Sequence, residues 1–195
     1  MNLKKIIIGV LVIACSTPAI AQTNNSSQSG EQKHFAIYGG LGPNFYFNNL
    51  VIGKNLVNEF NYSIVGRFMW EPGHLLSLGI ETGYYRLYTL DTPAPTQAHI
   101  ANSAIPLQVV LSMKFLKAFY FNLSMGQSIL HNRVNSETYG NFDANKVSVA
   151  DFTGTLGYRR MLNNRFSIGA EAKYFYSSSF VDENIALVFV GGFRF

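Results

Sequence analysis

Nine charged residues are candidates for chemistry: Arg67, Glu71, Glu81, Lys114, Asp151, Arg159, Glu171, Lys173 and Arg194. Five are basic and four acidic. A set so close to balance either pairs internally or lines a charge-selective path. The four histidines, His34, His74, His99 and His131, offer less. None lies two to four residues from another, so no element presents two imidazoles to one metal. His131 has Ser128 before it and Ser136 after it, the residue types of a base and a nucleophile. No CxxC, HExxH or glycine-rich phosphate loop is present. The residues therefore imply no catalytic set, no metal and no cofactor.

Alternation of side-chain class shows what positions the charges. In 60–71, Phe60, Tyr62, Ile64, Phe68 and Trp70 share one parity, and Asn61, Ser63, Arg67 and Glu71 share the other. Residues of one parity lie on one face of a strand. Helical spacing would group Phe60, Ile64 and Arg67 and mix the classes, so period two prevails. In 75–90, Leu76, Leu78, Ile80 and Tyr84 oppose Ser77, Gly79, Glu81 and Gly83. In 103–115, Ile105, Leu107, Val109, Leu111 and Met113 oppose Pro106, Gln108, Ser112 and Lys114. In 119–130, Phe119, Phe121, Leu123 and Met125 oppose Tyr120, Asn122, Ser124 and Gly126. In 165–176, Phe166, Ile168, Ala170, Ala172 and Tyr174 oppose Ser167, Gly169, Glu171 and Lys173. Two segments are weaker. In 147–160, Phe152, Leu156 and Tyr158 oppose Asp151, Thr153, Thr155 and Arg159; 34–47 is interrupted by Gly39, Gly40, Gly42 and Pro43. The final run sets Ile185, Leu187, Phe189, Phe193 and Phe195 against Asn184, Ala186, Gly192 and Arg194.

These are eight strands, an even number, as closure of an antiparallel barrel needs. The connections alternate: long at 48–58, 91–102, 131–146 and 177–183, short at 72–74, 116–118 and 161–164. A soluble barrel or an immunoglobulin-like sandwich has no reason to sort its loops this way. Strands this long exceed the roughly 5–6 residues usual in soluble sheets and suit a tilted bilayer crossing. The expected fold is all-β, an eight-stranded antiparallel up-and-down transmembrane β-barrel. Four long extracellular loops and three short periplasmic turns would complete it.

Composition agrees. Only 13% of residues are charged and 14% are aromatic, against a usual charged share of ~25%. No apolar run after residue 21 is long enough for a transmembrane helix. Residues 1–21 have the form of a secretory signal peptide: Lys4 and Lys5, an apolar stretch over 6–14, and small Ala19 and Ala21 before Gln22. The competing reading of Val12-Ile13-Ala14-Cys15 is a lipoprotein box that would acylate Cys15. Cleavage after Ala21 leaves a chain without cysteine. It also lowers the net charge of +4 by the two lysines, to +2 (4 − 2). No basic cluster suited to nucleic acid remains. Residues 22–33 form a polar tract expected to be a disordered periplasmic leader, and 34–195 the barrel.

Eight strands enclose room only for their own side chains. The nine charges fall on the polar parity, and buried charges are tolerable only when paired. A salt-bridged, plugged lumen is therefore expected, with Arg67 as first partner of Glu81; the rival is a charge-selective path. On the other parity, Trp70, Phe115, Phe119, Tyr158, Phe166 and Phe195 would ring one rim. Tyr62, Tyr84, Tyr88 and Tyr176 would ring the other.

The terminal strand, with Phe193 and Phe195, resembles the C-terminal signature of bacterial outer-membrane barrels, which implies that barrel-assembly machinery reads it as an assembly signal. Leu78-Gly79-Ile80-Glu81-Thr82-Gly83-Tyr84-Tyr85, Ile105-Pro106-Leu107 and Gly192-Phe193-Arg194-Phe195 carry a further resemblance over the whole mature chain. It is to the small porin-family or PorT-like outer-membrane barrels of Bacteroidetes. That resemblance implies a Gram-negative outer membrane, lipid as surroundings and a possible accessory role in protein secretion. The expected function is non-enzymatic: surface interaction through the loops or bracing of the envelope, by a monomer. A small-solute channel is the alternative.

Overall fold

The computed structural model describes residues 34–47, 56–72, 75–92, 98–116, 118–136, 140–178 and 182–195. The expected signal peptide, the leader, Cys15 and His74 lie outside the described residues. Ten strands are described: β1 (His34–Phe47), β2 (Val57–Asn58), β3 (Phe60–Glu71), β4 (Leu76–Asp91) and β5 (Ala98–Lys114). They continue as β6 (Phe119–Ser136), β7 (Gly140–Val147), β8 (Asp151–Met161), β9 (Phe166–Ser177) and β10 (Asp182–Arg194).

Eight of them close a ring. Antiparallel pairs link β1 to β3, β3 to β4, β4 to β5, β5 to β6, β6 to β8, β8 to β9, β9 to β10, and β10 back to β1. Tyr38 pairs with Gly192 directly. Followed the other way, through Arg67, Glu81, Gln108, Gly126, Asp151 and Ser177, the register reaches Asp182 instead. The offset is a shear of ten residues (192 − 182). Such a shear inclines the strands by about 35–45° to the barrel axis.

The faces are sorted as the alternation requires, with the apolar side outward. Leu41, Phe60, Ile64, Leu107, Met125 and Phe189 are all exposed, whereas Arg67, Glu81, Glu171 and Lys173 are buried. A water-soluble barrel has the reverse arrangement. A buried apolar cluster also runs along the lumen, from Ala36 and Met69 near the short turns to the far part. There Tyr85 stacks on Phe175 with ring centroids 5.3 Å apart, among Leu87, Leu130, Ala186 and Val188.

Closure falls on the terminal residue. Phe195 exchanges two backbone hydrogen bonds with Phe35 (2.9 and 3.2 Å). Its ring lies 6.3 Å from those of Phe35 and Phe193 and 6.5 Å from that of Phe68. The seam between first and last strands is thus covered by aromatic contacts as well as by the ladder.

The connections depart from expectation. Among the described residues of the expected long loops, 91, 98–102, 131–136 and 140–146 are strand. β4 and β5 stay paired as far as Asp91 and His99, while β6 runs to Ser136 and returns as β7. Gly140, at φ 79°, takes the left-handed conformation where that return begins. Of 48–58, Val57 and Asn58 form β2 against β4. Strands β9 and β10 likewise run into 177–183. The physical reason is exposure. Every residue of β7 is solvent-exposed on both faces, so no apolar/polar alternation marks it. At the opposite end only 72–75, 115–118 and 162–165 separate the strands.

Candidate functional site: a charged lumen

The inward charges form two clusters. Register sets Arg67 on β3 opposite Glu81 on β4. Arg67 donates from Nε to Glu81 Oε2 at 2.7 Å and grips Glu171 on β9 through Nη1 and Nη2, both at 2.9 Å. Lys173 Nζ donates to Glu81 Oε1 at 2.6 Å and lies 3.5 Å from Glu171. Tyr120 Oη completes Glu171 at 2.5 Å. Turning the Asn122 amide lets its oxygen accept from Arg67 Nη1 at 3.0 Å and its nitrogen donate to Ser112 at 2.7 Å. Two cations thus face two carboxylates, and all four side chains are at most 4% exposed. Bidentate arginine–carboxylate geometry of this kind supplies the hydrogen bonds that make a buried pair tolerable.

The second cluster lies at the short-turn mouth, where the strands bearing it end. Glu71 accepts from Tyr38 Oη at 2.6 Å, Arg159 at 3.0 Å, Arg194 at 2.6 Å and Lys114 at 3.5 Å. Arg159 lies over two rings, 4.6 Å from that of Tyr38 and 5.2 Å from that of Tyr120. Glycine makes room for both rings. A Cβ at Gly157 would collide with Tyr120, and one at Gly192 with Tyr38.

Eight of the nine expected lumen charges therefore meet in these clusters, and Asp151 does not. It is fully buried, accepts the Ser148 hydroxyl at 2.7 Å, and has no cation partner among the described residues. Its parity points it inward, but its height on β8 carries it beyond the reach of Lys173. Tyr38 and Tyr120 were not anticipated, although both sit on the inward parity beside the charges. A phenol is neutral, so side-chain charge does not mark it as the group that completes a carboxylate.

The outward aromatics Trp70, Phe115, Phe119, Tyr158 and Phe166 are all part-exposed toward the short-turn end. Phe119 contacts Phe115 at 6.1 Å and Tyr158 at 5.1 Å, and Phe166 contacts Phe193 at 5.1 Å. Tyr84 lies 5.9 Å from Tyr62 toward the other rim. Tyr88, expected beside them, instead packs on the lumen core 5.0 Å from Tyr46, where the register between β4 and β5 slips. The bulge redirects its side chain.

His34 opens β1, and His99 and His131 lie in the β4–β5 and β6–β7 hairpins. His99 pairs with Asp91 at 2.5 Å, beside a polar cleft of about 440 Å³ that Asn135, Ser136 and Asn141 also line. His131 bonds Asn145 at 2.6 Å. Ser128 and Ser136 have the opposite parity to His131 on β6, so neither hydroxyl shares its face. Among the described residues no group of three His, Cys, Asp or Glu is placed to hold a metal.

An all-β, closed, antiparallel eight-stranded barrel with an apolar exterior is the class that this architecture defines. No family model matches the chain, and no curated protein matches it. Solved structures do. The attachment invasion locus protein Ail of Yersinia pestis, in complex with the heparin analogue sucrose octasulfate, superposes with a TM-score of 0.58 at 10% identity. That match covers 84% of this chain and 99% of that one. A second structure of Ail gives 0.52 at 11% identity, with the same coverages. Neisserial surface protein A gives 0.49 at 11%, covering 83% of this chain and 97% of its own. At these identities the likeness to Ail speaks for the fold: this chain has the fold of an outer-membrane eight-stranded barrel.

Proposed function

We propose that the protein is a non-enzymatic integral outer-membrane barrel, sealed by its lumen charges, whose projecting hairpins meet the cell's surroundings. The observation that carries this is the inverted sorting: ionised groups paired inside, large apolar side chains exposed all around outside. Only lipid makes that exterior favourable. The aromatic belt at the short-turn end suits a headgroup boundary, and the contrast of short turns with projecting hairpins supports a periplasmic side for the turns and an outer side for the β4–β5 and β6–β7 hairpins.

Ail is an attachment invasion locus protein, and one of its structures holds the heparin analogue sucrose octasulfate. For this chain the equivalent surface would be the hairpin end, where the polar cleft at Asp91 and His99 lies. The finer reading, as a PorT-like barrel of Bacteroidetes, rests on the resemblance carried by 78–85, 105–107 and 192–195; a secretion role is what that resemblance would imply, and no residue is specific to it.

Epitope insertion tests the reading. A tag at 144–145 should be labelled on intact cells, and one at 163–164 only after permeabilisation. Labelling of the second tag alone, or recovery of the protein in the soluble fraction, would overturn it.

A further inference from the structure

Sealing the lumen requires the neutral quartet around Arg67; it does not require the charge carried at the short-turn mouth. Lys114, Arg159 and Arg194 each pair with Glu71 and with no other carboxylate among the described residues. Three cations against one carboxylate leave a surplus of +2 (3 − 1). The surplus faces outward: the Glu71 side chain is 4% exposed, against 35% for Lys114 and 23% for Arg194. Donors are also left over. Arg194 Nε is buried without a partner, and so is the hydroxyl of Ser77, which is 3% exposed. Ser77 sits on β4 one step nearer the mouth than the Trp70–Leu78 pair, hence beside Glu71. Arg159 is fixed over Tyr38 and Tyr120, so its charge is presented rigidly.

We propose that this mouth is a closed-ended binding site for a tetrahedral oxyanion, a phosphate or phosphate monoester, held by Lys114, Arg159, Arg194 and the Ser77 hydroxyl. Two guanidinium groups and an ammonium match the several acceptor oxygens and the charge of such a group. The anion balances the surplus and occupies the donors that Glu71 leaves unused. It goes no further, because the quartet behind is neutral, buried and fully paired. The site therefore binds without conducting. Two sources share this chemistry: a soluble phosphate ester, and the headgroup of a phospholipid at the barrel rim.

Calorimetric titration of the full mature protein in phosphate-free maltoside micelles, at low salt, tests the site. Inorganic phosphate should bind saturably and raise the melting temperature. Lys114→Gln, the least buried of the three changes, should weaken binding about tenfold, the worth of one charged hydrogen bond. Lys114→Arg should retain binding, and Arg133→Gln in the far hairpin should not alter it. If inorganic phosphate is inert but phosphatidylglycerol added to the micelles binds in a Lys114-dependent way, the source is the lipid headgroup. Absence of saturable binding in both arms, or equal affinity for Lys114→Gln and the unmodified protein, would overturn the site.

Discussion

The lumen holds two charge clusters built from the same residue types, and they differ in depth and in stoichiometry. Around Arg67, two cations and two carboxylates are buried and saturate one another. Around Glu71, three cations share one carboxylate, with Lys114 and Arg194 part-exposed at the mouth. Depth decides what each can do. A charge far from water must be matched or it costs several kcal/mol, so the inner set has to be neutral. A charge at the mouth keeps part of its hydration, so a surplus is tolerable there and remains available to a ligand. The inner cluster is the proposed seal, and the outer one the proposed recognition surface.

The inner cluster should respond most to substitution. Arg67→Leu leaves two buried carboxylates with Lys173 alone, and Glu81→Gln leaves Arg67 and Lys173 sharing Glu171. Each should lose about 3–5 kcal/mol in urea unfolding of the detergent-solubilised barrel, as for one partner removed from a buried pair. A loss below 1 kcal/mol for both would mean that lumen water solvates the survivors and that the two clusters do not differ in kind.

Tyr120→Phe removes one hydrogen bond to Glu171 and should cost about 1.5–3 kcal/mol. Tyr38→Phe should cost less, because Glu71 retains three cations; the reverse order would break the ranking by depth. Lys114→Gln should change stability by about 0–1 kcal/mol, because Lys114 is part-exposed and Glu71 keeps both arginines. Raising the salt to about 1 M should erase even that effect while leaving the Arg67→Leu deficit in place, since screening reaches exposed charges and not buried ones.

At the seam the readout is assembly. Phe195→Ala should lower the amount of folded protein in membrane fractions more than Phe189→Ala. Phe195 carries two closing hydrogen bonds and three ring contacts, whereas Phe189 is an exposed mid-strand side chain. Equal yields would leave the terminal aromatic without a special part in closure.

What could be read from the sequence follows the same division. Barrel strands such as β3 and β9 were legible almost to their ends, because one face meets apolar surroundings and the other a polar lumen. Every second residue therefore declares its side. Lumen residues were legible by parity for the same reason, down to the Arg67–Glu81 pairing across neighbouring strands. The hairpin β6–β7 was not legible as strand. Both faces of β7 are exposed, and Arg133 and Asp143, which pair across the hairpin at 3.2 Å, look like loop residues in the linear sequence. Height along the barrel was also hidden. Parity gives the face, but the ten-residue shear decides which residues come level, so Asp151 could not be separated from the true network members. The turn of Tyr88 toward Tyr46 depends on a register slip that leaves no mark in composition.

Conductance across planar bilayers tests the sealed lumen most directly. Purified unmodified protein should show at most rare, small steps, because the paired quartet of Arg67, Glu81, Glu171 and Lys173 fills an eight-stranded interior with neutral, immobile charge. Large, steady conductance whose ion selectivity changes in Glu81→Gln, with no loss of stability in that variant, would contradict the seal and make the same charges the lining of a channel.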